Sequence, residues 1–212
     1  MTGPVEETHR HDSFGDADYD RAYAEGSERS MFRYRGFLEK LKALGIKGRY
    51  LEIGAGPGLL AAAIAEQHRD VRVTATDPSP EMVAIATKYI ASQGLEERVA
   101  VQVGDALDDS LPETLGTFNL VYCTYVLHHL GDPAHALRNM GRMVTDGGTL
   151  LVYDLRPVWW LRWLPLENGF VTSVKEAFLK DEVTAFLREA GIERFEVRHE
   201  FPFIVSAIAR KV

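Results

Sequence analysis

The segment Leu51–Leu60, LEIGAGPGLL, constrains the fold of this chain more than any other stretch. It predicts a buried strand that runs into a glycine-rich turn and then into a helix. Three glycines at alternate positions, Gly54, Gly56 and Gly58, remove every Cβ from one side of the turn. A ligand can therefore lie directly against this backbone, in dihedral regions that glycine adopts at little cost.

An acidic residue follows at the distance expected for a nucleotide-binding fold. Asp77 stands twenty-one residues after Gly56, at the end of a second apolar run, VRVTATD. In a doubly wound fold, an acid at the tip of the second strand binds the hydroxyls of a ribose. The turn and the acid together predict a nucleoside site.

The spacing of the glycines indicates which kind of nucleoside. Dinucleotide-binding folds use GxGxxG, because a pyrophosphate must reach the N-terminus of the helix. Here Leu59 occupies the position of the third glycine of that pattern, and Pro57 lacks an N–H donor. These two residues disfavour an NAD(P)-dependent oxidoreductase, which stays an alternative.

The GxGxG turn, preceded by the acid Glu52, resembles the first motif of the class I S-adenosylmethionine-dependent methyltransferases. Later segments resemble further motifs of that family in the same order, namely Gly104-Asp105-Ala106, FNLVYCTYVLHHLGDP (Phe118–Pro133), ALRNMGRMV and DGGTLLVYD. Each motif is weak alone, but their order and spacing are specific. The resemblance covers most of the chain and points to the ubiquinone-menaquinone-like, type 11 group that methylates small molecules.

The resemblance implies S-adenosyl-L-methionine as the cofactor and S-adenosyl-L-homocysteine as the product. The glycine turn would face the methionine portion, Asp77 would accept hydrogen bonds from the ribose, and Asp105 would accept one from the adenine amine. Met82 would pack on one face of the adenine. Asp77 and Met82 also have ordinary structural alternatives, Asp77 as a helix N-cap and Met82 as a residue of the helix core. The implied cofactor-binding set is Tyr19, Glu52, Gly54, Ala55, Gly56, Gly58, Asp77, Pro78, Met82, Gly104, Asp105, Ala106 and Thr124.

Two adjacent histidines are the candidates for catalysis. Methyl transfer from a sulfonium is an in-line displacement, which needs orientation most and a general base only if the acceptor carries a proton. His128 and His129 follow the predicted fourth strand. Neighbours in a helical turn point roughly a hundred degrees apart, so we expect one of them to face the cleft. His129 matches a position where relatives often carry histidine and is preferred, while a local structural role is equally ordinary.

The methyl acceptor is expected to be a small molecule that accepts on O, N or C. The chain lacks the (N/D)PP(Y/F) tetrad of base-amine methyltransferases and the Pro-Cys pair of cytosine C5 enzymes. Residues 155–178 form an aromatic insertion that is interpreted as a substrate lid for an aromatic or lipid-like acceptor; a core role and a dimer or membrane-surface contact remain open. The candidate substrate residues are Tyr23, Trp159, Trp160 and Trp163.

The predicted fold class is α/β, a Rossmann-like doubly wound sheet. Strands alternate with amphipathic helices, which is typical of a parallel sheet with helices on both faces. The closing runs FEVRH and FIVSAIAR predict an antiparallel pair, similar to the family's seven-stranded sheet with its last strand antiparallel. Residues 1–26 are expected to be a mobile tail and cofactor-covering segment, and residues 27–212 a single methyltransferase domain.

Composition excludes several classes of partner. The net charge is −7 and no basic stripe is visible, which argues against a nucleic-acid partner. Without a run long enough for a membrane span, a cytoplasmic location is expected. The single cysteine, Cys123, is interpreted as core, and His9 and His11 as part of a solvated tail rather than a metal site. A homodimer and a non-catalytic cofactor binder remain open.

Overall fold

The computed structural model describes residues 31–158, 169–200 and 202–211, with only the backbone described for 169–172. Its strands are β1 (Gly48–Ile53), β2 (Val71–Asp77), β3 (Val99–Val103), β4 (Phe118–Thr124), β5 (Val144–Leu155), β6 (Phe195–Glu200) and β7 (Ile204–Arg210). Its α-helices are α1 (Arg35–Leu44), α2 (Leu59–Gln67), α3 (Pro80–Ser92), α4 (Leu111–Leu115), α5 (Pro133–Arg142), α6 (Gly169–Glu176) and α7 (Lys180–Glu189). Short 3-10 turns cover Met31–Tyr34 and Leu127–His129.

The seven strands form one sheet in the order β3-β2-β1-β4-β5-β7-β6. Strand β1 pairs in parallel with both β2 and β4, and β3 and β5 continue the parallel sheet on either side. Strand β7 is antiparallel to β5 and to β6, so it alone among these strands runs in reverse. The predicted Rossmann-like sheet with a reversed last strand is confirmed.

Two apolar layers cover the sheet. Side chains of α1, α2 and α3 pack on one face, and those of α4, α5 and α7 pack on the other. Successive residues of a strand point to opposite faces, so Tyr50 belongs to the first layer and Leu51 to the second. With both faces covered, the central strands read as continuous apolar runs, which is typical of parallel sheets.

Helix α3 shows how local sequence sets an element's start. Ser79 is its N-cap, because the Ser79 hydroxyl accepts a hydrogen bond from the Met82 N–H at 3.1 Å. Pro80 occupies the first turn, where its missing N–H has no cost. The predicted span, 80–92, agrees with the structure.

The fifth strand differs most from the sequence expectation. The sequence predicts a turn at Asp146-Gly147-Gly148 and a strand over 149–153, whereas β5 begins at Val144 and ends at Leu155. The Gly147 N–H donates to the Lys211 carbonyl at 3.0 Å, and the Lys211 N–H donates to the Gly148 carbonyl at 3.1 Å. This exchange with the end of the chain extends the strand through residues that favour a turn.

Three further elements were not predicted. Helix α4 and the 3-10 turn Leu127–His129 are too short to produce a visible periodicity. Helix α6 lies within the 155–178 insertion, which is therefore not wholly irregular. Trp159, Trp160, Trp163, Tyr19 and Tyr23 lie outside the described residues. No helix in the described ranges is long and apolar enough to cross a membrane.

Phe37 of helix α1 tests how firmly that helix is attached to the sheet. Its side chain is fully buried, with ring centroids 5.2 Å from Tyr122 and 5.7 Å from Tyr153. We expect Phe37→Ala to lower the free energy of unfolding by about 3–5 kcal/mol, because it removes a buried ring and leaves a cavity. Phe32→Ala is the matched control, since Phe32 is 77% exposed. Equal urea midpoints for the two variants would contradict the packing.

Candidate active site

The glycine turn after β1 forms the centre of the site. Gly54, Gly56 and Gly58 have φ angles of 69°, 51° and 78°, in the left-handed region that favours glycine. A Cβ on Gly54 would lie 2.5 Å from Val126 Cγ2, and a Cβ on Gly58 would lie 3.0 Å from Ala86 Cβ. The side chains of Val126, in the loop after β4, and of Ala86, in α3, therefore occupy the space that a Cβ on Gly54 or on Gly58 would need.

Asp77 connects the end of β2 to this turn. Its Oδ2 accepts a hydrogen bond from the Gly56 N–H at 2.8 Å, and its Oδ1 accepts one from the Ser79 N–H at 3.0 Å. The residue is only 8% exposed. Its predicted alternative as the N-cap of α3 is wrong, because Ser79 occupies that position.

Glu52 is buried directly behind the turn. It faces Tyr122 across the β1–β4 pair, and the Tyr122 hydroxyl donates to Glu52 Oε2 at 3.1 Å. Burial raises the pKa of Glu52 from 4.5 to about 8; the Tyr122 hydrogen bond opposes that rise and the charge of Asp77 adds to it. The carboxyl group is therefore largely protonated near neutral pH.

The predicted adenine-side residues lie at the ends of β2 and β3. Gly104 follows β3, and a Cβ there would lie 3.0 Å from Leu111 Cδ1 and 3.2 Å from Thr76 Cβ. Asp105 is exposed and its Oδ1 accepts from the Leu107 N–H at 2.9 Å. Of the remaining predicted residues, Ala55, Met82, Ala106 and Thr124 are buried and Pro78 is exposed.

The two histidines occupy different environments. His128 is 2% exposed, and its Nδ1 lies 2.6 Å from Asp154 Oδ1. Its backbone N–H donates to Asp154 Oδ2 at 3.2 Å, so one carboxylate holds both the ring and the backbone of the residue. His129 is half-buried, and its ring stacks on that of His128 with centroids 3.9 Å apart.

Asp154, at the end of β5, is a residue that the sequence analysis missed. It is 2% exposed and also accepts from the Leu155 N–H at 2.6 Å. The signal was present, because an acid closes the apolar run LLVYD. An acid at the carboxyl end of a buried parallel strand is unusual unless it has specific partners.

Tyr125 was missed as well. Among the residues that the structure describes, Tyr125 is the one non-glycine residue with a positive φ angle, 59°. Its N–H donates to the Tyr153 carbonyl at 2.9 Å, and its hydroxyl donates to the Arg33 carbonyl at 2.9 Å. A residue in the left-handed region thus lies directly after β4, at the carboxyl edge of the sheet.

Neither a metal centre nor a reactive thiol is found within the described ranges. No group of three His, Cys, Asp or Glu residues there could hold a metal ion. Cys123 is fully buried, and burial raises the pKa of its thiol well above the ordinary value. His9 and His11 lie outside the described residues.

Residues 51–150 match the family model described as a methyltransferase domain. Ajmaline N-methyltransferase of Rauvolfia serpentina is 36% identical over 102 residues, which cover 48% of this chain and 34% of that protein. Ubiquinone biosynthesis O-methyltransferase of Xylella fastidiosa (strain 9a5c) is 31% identical over 161 residues, covering 70% of this chain and 62% of that protein. The chain therefore spans less than two thirds of the length of either relative.

A solved structure shows the same fold. A SAM-dependent methyltransferase from Aquifex aeolicus superposes with a TM-score of 0.67 at 22% identity, covering 82% of this chain and 88% of that one. At this identity the likeness establishes the arrangement of strands and helices, and the roles of individual residues are argued from the site itself.

Glu52 provides a test of the electrostatics behind the turn. Because folding raises the pKa of Glu52 from 4.5 to about 8, the folded state holds a proton that the unfolded state has lost across that interval. The free energy of unfolding therefore falls as pH rises through it, by up to about 1.4 kcal/mol per pH unit. In the Glu52→Gln variant, this decrease in the free energy of unfolding with rising pH is absent.

We expect Glu52→Gln to gain stability relative to the unsubstituted protein as pH rises from about 5 to about 8, measured by urea unfolding at several pH values. The matched control is Glu66→Gln, which removes the same charge from an exposed position on α2. A difference in stability that does not change with pH, or an equal trend in both variants, would refute a neutral Glu52.

Proposed function

We propose that the chain is a class I S-adenosylmethionine-dependent methyltransferase and that it transfers the methyl group of S-adenosyl-L-methionine to a small-molecule acceptor. The match of residues 51–150 to the methyltransferase-domain model and the similarity to the two relatives support this proposal. When bound, this cofactor supplies a methyl group already activated on a sulfonium. The protein then has to bind the cofactor, orient the acceptor and exclude water. Near-attack positioning of this kind contributes on the order of 7–11 kcal/mol.

One observation carries the proposal, namely the glycine turn at the carboxyl edge of the sheet, which Asp77 holds in place. The turn has no Cβ on Gly54, Gly56 or Gly58, and its backbone is fixed by the hydrogen bond from Gly56 to Asp77. Asp77 is 8% exposed as a residue, and each of its oxygens accepts one backbone hydrogen bond. A carboxylate oxygen has a second lone pair, so the group suits the cis hydroxyls of a ribose. Leu59, the first residue of α2, is buried and leaves no open helix start of the kind that a pyrophosphate needs.

Glu52 supports a cationic ligand at the methionine end of the turn. A cation that binds close to a buried carboxyl favours the ionised form and is itself favoured by it. The amino acid portion of the cofactor carries a cationic ammonium group. We propose that Glu52, at the end of β1, recognises that charge, and that Asp105 and Met82 lie on the adenine side.

For the proton, we propose that His129 accepts it from an acceptor that still carries one. His129 is half-buried, whereas His128 is buried and held by Asp154 through its ring and its backbone. Asp154 and His128 thus act as positioning residues that fix the 3-10 turn to β5 and present the His129 imidazole. A positioned base of this kind contributes about 10²–10⁴-fold to the rate.

The acceptor class is proposed from the insertion and from the family. The aromatic residues of 155–178 favour an aromatic or lipid-like acceptor, with Tyr23, Trp159, Trp160 and Trp163 as its candidate contacts. The two relatives carry N- and O-methyltransferase names, so both acceptor atoms are to be assayed. Quinones, phenols and amines form the first panel of acceptors for an assay with methyl-labelled cofactor.

The cofactor is tested first by thermal shift with S-adenosylhomocysteine, S-adenosylmethionine and NAD⁺ in parallel. Ligand at about a hundred times its dissociation constant adds roughly 2.7 kcal/mol, which at this length corresponds to about 5–10 °C. We expect a shift with the adenosyl ligands and none with NAD⁺. A shift with NAD⁺ alone would favour the oxidoreductase, and no shift with any ligand would overturn the cofactor assignment.

Asp77→Asn tests the ribose contact in the same assay. We expect affinity for S-adenosylhomocysteine to fall at least tenfold, about 1.4 kcal/mol, because the amide accepts fewer hydrogen bonds than the carboxylate. The control is Asp70→Asn at the other end of β2, whose side chain is 69% exposed and pairs with Lys47. Unchanged affinity in a folded Asp77→Asn protein would remove the ribose assignment.

The histidines are separated by comparing His129→Gln with His128→Gln. We expect His129→Gln to lower kcat by about 10²–10⁴-fold with cofactor affinity and melting temperature unchanged. His128→Gln should instead lower the stability by about 3–5 kcal/mol, because it leaves Asp154 buried without its partner. If His128→Gln keeps its melting temperature but loses kcat, His128 rather than His129 is the base.

A further inference from the structure

A cavity of about 520 Å³ lies at the amino edge of the parallel strands, opposite the edge that carries the glycine turn. It is bounded by the end of α5, the start of β5, the turn between α7 and β6, and the end of β7. Because β7 runs in reverse, its last residues lie beside the first residues of β5. The methyltransferase site proposed above does not use any residue of this cavity.

Cationic side chains line this amino-edge cavity. Its charged residues are Arg138, Arg142, Arg194, Arg210 and Lys211, with one acid, Glu193. In a chain of net charge −7, this is a local reversal of sign. A concave surface with one sign of charge concentrates the field and attracts ligands of the opposite charge.

Some of these cations are already engaged. Arg142 pairs with Glu113 at 3.0 Å, Arg138 donates to the Glu189 carbonyl at 3.1 Å, and Lys211 donates to the Val144 carbonyl at 2.7 Å. These bonds hold the rim in place.

Two arginines remain available. Arg194 and Arg210 are exposed neighbours, joined by a backbone hydrogen bond of 3.2 Å from the Arg210 N–H to the Arg194 carbonyl. Their guanidinium groups have no hydrogen bond or ion pair with any residue that the structure describes. Guanidinium groups bind phosphate and carboxylate with two parallel hydrogen bonds, so this pair can hold an anion.

The floor of the cavity is apolar. Its uncharged lining residues include Val144, Leu150, Ala190, Ile192 and Ala209. Ligand pockets in proteins combine mostly apolar walls with a few placed polar groups, and their volumes fall within about 300–1,000 Å³. This cavity has the size, the apolar floor and the charged rim of such a pocket.

We propose that the amino-edge cavity is a second binding site, for a small organic phosphate or carboxylate with an apolar body. Arg194 and Arg210 bind the anionic group, Arg138, Arg142 and Lys211 supply the surrounding positive field, and the floor takes the apolar body. Glu193 weakens binding, because its negative charge repels the anionic group of the ligand. The site is separate from the methyl-transfer site and does not depend on the proposed function.

The test is isothermal titration with phenyl phosphate and with inorganic pyrophosphate, at constant ionic strength. Phenyl phosphate has both an anionic group and an apolar body, whereas pyrophosphate has the anionic groups without the apolar body. We expect phenyl phosphate to bind the unsubstituted protein, and the double variant Arg194→Gln/Arg210→Gln to bind it at least about tenfold more weakly. Circular dichroism melts establish that each variant is folded.

The matched control is Arg69→Gln/Lys88→Gln, which removes two cations from exposed positions outside the cavity. Glu193→Gln is an independent variant, because it leaves both anion-binding arginines in place. We expect it to increase the affinity for phenyl phosphate. The proposal is overturned if phenyl phosphate does not bind, if the double variant binds as well as the unsubstituted protein, or if the control loses as much affinity. It is also overturned if Glu193→Gln leaves the affinity unchanged.

Discussion

The hydrogen bond from the Gly56 N–H to Asp77 Oδ2 is the interaction on which the carboxyl edge of this sheet depends. It fixes a turn whose three glycines adopt left-handed φ angles, and so converts a flexible segment into a defined surface. Val126 fills the space that a Cβ on Gly54 would occupy, which joins the turn to the loop after β4. The glycine turn, the end of β2 and the loop after β4 are therefore held in one arrangement.

Among the described residues, three buried carboxyl groups lie at this edge, and each is stabilised in a different way. Asp77 accepts from backbone N–H groups, Asp154 is paired with His128, and Glu52 stays protonated near neutral pH beside Tyr122. An isolated buried carboxylate would be strongly destabilising. The amino edge has the opposite character, since its cavity is lined by cations. Charge is thus divided between the two ends of the same strands.

Much of the sheet could be predicted because its elements are signalled locally. The sequence predicts a helix over 80–92, and the apolar run VAVQV predicts a strand over 99–103; both agree with the structure. The reversed last strand was predicted from two β-rich runs joined by a short turn. The shortest elements were missed because they show no periodicity, and the wrong start of β5 has a non-local cause. Strand β5 extends back to Val144 because Val144 pairs with Phe118 of β4, and Lys211 pairs with Gly147 and Gly148. No window of sequence around Gly147 contains Phe118 or Lys211.

The sequence by itself determined the strand–turn–helix unit, the resemblance to a methyltransferase family and the edge at which a nucleoside cofactor is expected, because glycine spacing and apolar periodicity act within a few residues. Only the tertiary structure decided which polar groups meet. Glu52 and Tyr122 are seventy positions apart, and His128 and Asp154 twenty-six. The basic cavity is assembled from α5, β5, the α7–β6 turn and β7. Such groupings depend on strand order and register, which chain connectivity and packing set together, and no local pattern encodes them.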